Sequence, residues 1–184
     1  MNPEPNNLFL IGFRCTGKSS VGRSLSEKLG WPFIDTDSLL VIKQKMSIKE
    51  IVGAYGWEGF REMEHTILTK VCTADEQVVA TGGGVVLNED NVMRMQKGGR
   101  IIWLKATAES IKARMLQDKD TQDFRPTLTF NGSISEIEET LSAREPLYKT
   151  AMDFFVDTDD RDMGVITDII MEKIRSKYPK AFKF

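Results

Sequence analysis

Gly12-Phe13-Arg14-Cys15-Thr16-Gly17-Lys18-Ser19 fits G-x-x-x-x-G-K-[ST], the pattern of a loop that wraps phosphates. The flanks decide whether the match has meaning. Leu8-Phe9-Leu10-Ile11 is the continuous apolar run of a buried parallel strand. On the other side Val21, Leu25 and Leu29 recur at helical spacing until Gly30 and Pro32 stop them. Strand, glycine loop and helix stand in the order that phosphate binding requires. Gly12 and Gly17 let backbone N–H groups turn inward, and the helix starting near Lys18 adds the positive end of its dipole. Lys18 offers a mobile charge to the outer phosphates and Ser19 an oxygen for Mg²⁺. The nucleotide-binding residues expected here are Gly12, Arg14, Cys15, Thr16, Gly17, Lys18, Ser19 and Ser20.

Outward from this loop, five apolar strand candidates appear at Leu8–Ile11, Pro32–Ile34, Val78–Thr81, Arg100–Leu104 and Phe154–Val156, with helical patterns between them. Alternation of this kind predicts an α/β chain in three layers, with a central five-stranded parallel sheet covered on both faces. Ligands of such sheets gather at the carboxyl ends of the strands. The 184 residues suit one domain. Residues 1–7 read as a disordered lead-in without the features of a signal peptide. A long polar stretch, about residues 117–133, reads as a mobile lid.

Composition is that of an ordinary globular protein, 41% hydrophobic and 28% charged. A net charge of −2 offers no basic field for nucleic acid, and no apolar run approaches membrane-spanning length. The two cysteines, Cys15 and Cys72, form neither a disulfide framework nor a zinc motif, so a reducing cytoplasm is expected. Cys15 could be an activated thiol in an electropositive nest, but we read it as a small residue tolerated in the loop.

Several strand ends carry residues that look chemical. The second runs into Asp35-Thr36-Asp37, whose carboxylates at period two would lean the same way and repel unless a cation lay between them. The plainer reading is that Asp37 or Ser38 caps the following helix. Ser47-Ile48-Lys49-Glu50 is a capping box opening a short helix, and a second helix follows through Phe60, Met63, Ile67, Leu68 and Val71. On it Arg61 and Glu64 are spaced to pair, although such surface pairs are usually weak. His65, the one histidine, reads as structural. The third strand runs into Thr81-Gly82-Gly83-Gly84, read as a binding loop with bare N–H groups. Arg125, in the polar stretch, could swing over a phosphate and stabilise charge in a transition state.

Together these residues resemble the shikimate kinase family, over roughly Leu8 to Ile174. The resemblance rests on the phosphate loop, Phe33-Ile34-Asp35-Thr36-Asp37, Phe60-Arg61-x-x-Glu64, Thr81-Gly82-Gly83-Gly84, Arg125-Pro126 and Arg144-x-Pro146-Leu147-Tyr148, in that order. It implies a P-loop kinase that moves the γ-phosphoryl group of ATP to the 3-hydroxyl of shikimate, with Mg²⁺; its expected partners are these two small molecules, with no nucleic acid and no membrane, and a monomer is expected. It implies that Asp37, Arg61, Gly82, Gly83, Gly84 and Arg144 hold shikimate, the arginines on its carboxylate and Asp37 on its hydroxyls. Glu64 would orient Arg61, Ser19 and Asp35 would serve the metal, and Arg114 and Arg161 would lie near adenine. Lys18, Asp37 and Arg125 would be catalytic. The lid reads Arg125-Pro126-Thr127-Leu128 where the family commonly has Arg-Pro-Leu-Leu, and Met163 stands where some members have a proline against adenine. The alternatives are another small-metabolite kinase on the same scaffold, such as a gluconate kinase, or a nucleotide-binding regulator without catalysis.

Overall fold

The strands are β1 (Asn7–Ile11), β2 (Phe33–Asp35), β3 (Val78–Ala80), β4 (Gly99–Lys105) and β5 (Phe154–Asp157). In the computed structural model, which describes residues 6–118 and 134–179, they form one parallel sheet in the order β2-β3-β1-β4-β5. β1 lies in the middle, with Phe9 level with Val79 on one side and Ile101 on the other. The phosphate loop therefore leaves the sheet at its centre, where the connections diverge to either side.

The helices are α1 (Lys18–Leu29), α2 (Thr36–Gln44), α3 (Ile48–Val71), α4 (Glu89–Gly98), α5 (Ala108–Gln117), α6 (Ile134–Ala151) and α7 (Met163–Lys177). Side chains of a strand alternate between faces, and β1 shows it. Leu8 and Leu10 pack with Val21, Leu25, Ile166 and Ile170 of α1 and α7, while Phe9 and Ile11 pack with Phe60, Leu68 and Met95 of α3 and α4. The chain thus has the three layers expected, and no helix among the described residues is long and apolar enough to cross a membrane.

Three boundaries differ from the sequence reading. Asn7, assigned to the lead-in, is fully buried in β1: it donates to Ala74 O at 2.8 Å, and its Oδ1 accepts from Gln77 N at 3.0 Å. A polar residue whose amide is used up in this way can sit in a core. The cap of α2 is Asp35, which accepts from Ser38 N at 3.1 Å, rather than Asp37 or Ser38. With helix starting at Thr36, period two no longer applies, and Asp35 and Asp37 face different cavities. The two helices expected after Ser47 are present as the two halves of α3, separated at Gly56, whose φ of 68° and ψ of 178° are open to glycine and costly for other residues. Finally Gln117 closes α5 and Asp118 donates back to Arg114 O at 3.0 Å, so the start of the proposed lid is ordinary helix end. The rest of that stretch, with Arg125, lies outside the described residues.

Candidate functional site

Two cavities open at the carboxyl ends of the strands, one on each side of the phosphate loop. The loop's shape follows from three positive φ angles, at Gly12 (140°), Cys15 (60°) and Gly17 (90°). Gly12 is obligatory for a second reason: a Cβ there would lie 2.4 Å from Leu104 O on the neighbouring strand. Lys18, at the first position of α1, donates to Gly12 O at 2.9 Å and Phe13 O at 2.7 Å. Thr16 Oγ1 donates to Phe13 O at 2.8 Å. The loop is thus tied internally, and Lys18 Nζ is held at its mouth.

The first cavity, of about 300 Å³, is lined by Cys15, Gly17, Lys18, Ser19 and Ser20, with Asp35, Thr81, Arg114 and Asp118. Helix N-terminal N–H groups and a lysine make it a bay for phosphates. Ser19 Oγ donates to Asp35 Oδ2 at 2.7 Å, which brings the two expected metal-site residues together. Arg114 donates to Cys15 O at 3.3 Å and to Thr158 at Oγ1 (3.0 Å) and O (2.6 Å), buckling the loop to the end of β5. Arg161 is exposed, donates to Asp157 O at 2.8 Å and does not line this bay. The sequence reading places it near adenine, and Asp157, whose carbonyl takes its guanidinium, is next to Thr158, the anchor of Arg114.

The second cavity brings together Asp37, Arg61, Glu64, Gly82, Gly83, Gly84 and Arg144, all of which the sequence had grouped, and adds Arg14. Arg14 was expected on the nucleotide. It lines this cavity, and a Cβ on Gly83 would lie 3.3 Å from its backbone N. Arg61 is no loose surface residue: it pairs with Glu64 at 2.7 Å and lies over the rings of Trp57 and Phe60 at 5.6 and 5.1 Å. Glu64 is 2% exposed. Burial pushes its carboxyl above the usual range; Arg61 opposes this, and the neighbouring Asp37 adds to it. Arg144, from α6, lies over Phe13 at 5.8 Å and donates to Gly83 O at 3.3 Å.

The glycines are there because their neighbours fill the space of a side chain. A Cβ on Gly82 would meet Glu64 Oε1 at 2.4 Å and Asp37 Oδ1 at 2.9 Å. One on Gly84 would meet the Arg61 guanidinium. Chemically the arrangement is two forked guanidiniums beside an acid, a set that suits a carboxylate and hydroxyls, with a phosphate bay on the other side of the loop.

Sequence reading missed three contributors. Trp57 and Phe60 wall the second cavity, whereas Phe60 had been counted as core. The aromatic residues flanking Arg61, next to a glycine able to break the helix, were the available signal. Tyr148 is fully buried, stacks on Trp103 with centroids 5.6 Å apart, and donates to Gly83 O at 2.6 Å. Burial pushes its hydroxyl up to about 12, so it stays a donor. His65 is structural as read, 2.7 Å from Asn91 Oδ1.

Known proteins agree with this geometry. The sequence model of the family described as shikimate kinase matches residues 14–175. Shikimate kinase 2 of Sodalis glossinidius is 39% identical over 175 residues, covering 95% of this chain and 97% of its own. Shikimate kinase of Moorella thermoacetica is 37% identical over 172 residues, covering 94% and 96%. Among solved structures, shikimate kinase from Acinetobacter baumannii in complex with shikimate superposes with a TM-score of 0.89 at 28% identity, covering 96% of both chains. A gluconokinase from Sinorhizobium meliloti reaches a TM-score of 0.60 at 17% identity, which speaks for a shared fold alone. A phosphate loop at the centre of the sheet, a guanidinium-lined cavity beside it and full-length relatives of one kind have a single common reading: the chain belongs to the shikimate kinase family.

Proposed function

We propose that the protein transfers the γ-phosphoryl group of ATP to the 3-hydroxyl of shikimate, a step in aromatic amino-acid biosynthesis. The observation that carries this reading is the pairing of Arg61 and Arg144 with Asp37 in one cavity, directly across the phosphate loop from Lys18. Two guanidiniums suit one carboxylate on the acceptor, and Asp37 suits its hydroxyls. A neutral sugar would leave that charge unanswered.

In the reaction the acceptor oxygen bonds to the γ-phosphorus while the bond to the β,γ-bridging oxygen breaks. The electron pair leaves on ADP, and the hydroxyl proton is released. Phosphoryl transfer has a loose transition state, so the protein's work is positioning and charge stabilisation. Asp37 orients the attacking hydroxyl and is placed to take its proton. Glu64 holds Arg61 in place. Lys18 exchanges the Gly12 and Phe13 carbonyls for phosphate oxygens. Ser19 Oγ and Asp35 are hard oxygens 2.7 Å apart beside Lys18, a donor pair that fits Mg²⁺. When bound, Mg²⁺ supplies charge neutralisation at the phosphates. Among the described residues no group of three or more His, Cys, Asp or Glu could hold a metal, and Mg²⁺ carried on ATP needs none. Two free thiols with no disulfide framework suit a reducing cytoplasm.

The test is ADP release with ATP and Mg²⁺ in the presence of shikimate, quinate, gluconate or no acceptor. Stimulation by shikimate is expected. Stimulation by gluconate alone would keep the kinase and replace the acceptor, and no stimulation with ATP still bound would favour a regulator.

A further inference from the structure

The segment that follows β5 grips the phosphate loop from outside. Thr158 is buried and anchored twice to the last residue of β4: its N and its Oγ1 donate to Lys105 O, at 2.8 and 3.0 Å. From this fixed point it accepts twice from Arg114, at Oγ1 (3.0 Å) and at O (2.6 Å). The next residue, Asp159, accepts from Thr107 N at 2.9 Å, at the cap of α5. Since Arg114 stands in the last turn of that helix, both ends of α5 are pinned to residues 158 and 159.

Arg114 passes this anchorage on to the loop, because its Nη1 also donates to Cys15 O at 3.3 Å. Cys15 has a φ of 60°, a left-handed conformation that a residue other than glycine keeps where its surroundings impose it. The ties from Lys18 to Gly12 O and Phe13 O are the ones given up when phosphate oxygens arrive. Thr16 Oγ1, on Phe13 O, ties the loop to itself. The tie through Arg114 is of another kind, since it runs by way of Thr158 to the sheet. A loop held in its bound shape beforehand loses less freedom on binding and so binds more tightly.

We propose that Thr158 is a positioning residue for nucleotide binding, which fixes the shape of the phosphate loop through Arg114. Thr158 does not itself line the phosphate bay. Its hydroxyl works as a relay: the proton goes to Lys105 O and a lone pair receives Arg114. The proposal rests on the kinase reading above, which makes this bay the nucleotide's.

Thr158→Val keeps the shape of the side chain and removes the hydroxyl, whereas Thr158→Ser keeps the hydroxyl. Calorimetric titration with ADP plus Mg²⁺, and separately with shikimate, reads both. In Thr158→Val, ADP affinity is expected to fall about 3- to 10-fold, the worth of one hydrogen bond, while shikimate affinity changes less than about twofold. Serine is expected to restore most of the loss. In an Arg114→Ala background, Thr158→Val should cost ADP less than about twofold more, because the route to the loop is already cut. ADP affinity of Thr158→Val within about twofold of the unmodified protein's would overturn the assignment. So would an equal loss on shikimate, or the full loss recurring without Arg114. Should the valine variant fold poorly, Thr158→Ala carries the comparison, because a misfolded fraction lowers the stoichiometry of a titration and leaves the affinity readable. Failure of the kinase reading would show separately, as no shikimate-dependent ADP release by the unmodified protein.

Discussion

Replacing Gly84 by alanine isolates the position of Arg61. The backbone at Gly84 has φ −108° and ψ 9°, open to any residue, so the substitution brings no conformational strain. Its Cβ, however, would lie 2.1 Å from Arg61 Nη2, 2.5 Å from Cζ and 2.7 Å from Nη1. Ordinary contact begins near 3.4 Å, so the guanidinium must retreat by about 1.3 Å. That stretches the 2.7 Å pair with Glu64 toward about 4 Å, beyond hydrogen-bond range. The guanidinium is the free end of a flexible side chain, so the fold accommodates the shift. Glu64, already favoured in its neutral form by burial, takes up a proton instead of staying charged and unpaired. What is lost is the preorganised contact with the acceptor's carboxylate, about 1.5–3 kcal/mol, or roughly 10- to 150-fold in acceptor KM. Coupled ADP-release assays at saturating ATP read this directly, with KM for ATP expected to stay within about twofold. An acceptor KM within about twofold of the unmodified protein's would refute the reasoning, since Arg61 would then be recognising nothing.

Three further outcomes follow from the same geometry. Glu64 has a raised folded-state pKa, so the native protein keeps a proton there that the unfolded chain releases near 4.5. Stability contributed by the neutral form is present below that value and lost as pH rises through the folded pKa; Glu64→Gln should gain on the unmodified protein across that window in urea titrations, and parallel curves would count against it. Asp35→Asn retains an acceptor for Ser38 N, so Tm should move by less than about 2 °C while the Mg²⁺ needed for half-maximal rate rises about tenfold. A matching fall in Tm would mean that Asp35 is only a cap. Tyr148→Phe leaves Gly83 O with Arg144 alone, at a cost of about 1 kcal/mol by urea unfolding and a rise of a few fold in acceptor KM, with no added pH dependence below the tyrosine's value of about 12.

The sheet and its loop were readable because their signals are local. Apolar runs mark β1, β3 and β4, helical spacing marks α1, and the spacing of Gly12, Gly17, Lys18 and Ser19 allows few other folds. The cavity was readable only through the family resemblance: alone, Arg61 at i,i+3 from Glu64 looks like a solvated pair, and nothing local says that Glu64 is 2% exposed. Asp35 and Asp37 were misread because strand geometry was continued past Asp35, where the helix takes over. Tyr148 escaped because its partner is 65 residues away at Gly83. Long-range packing decides such a contact, and no window of sequence contains it.

The acceptor cavity draws nine of its eleven described lining residues from the unbroken stretch between Asp37 and Gly84, with Arg14 and Arg144 the two from elsewhere. That stretch lies between β2 and α4, on the sheet edge away from β4 and β5. The arrangement makes acceptor choice a heritable cassette. Point changes, or a wholesale exchange of this one segment, can retune which metabolite is phosphorylated while the central strand and its phosphate loop go on handling the same nucleotide.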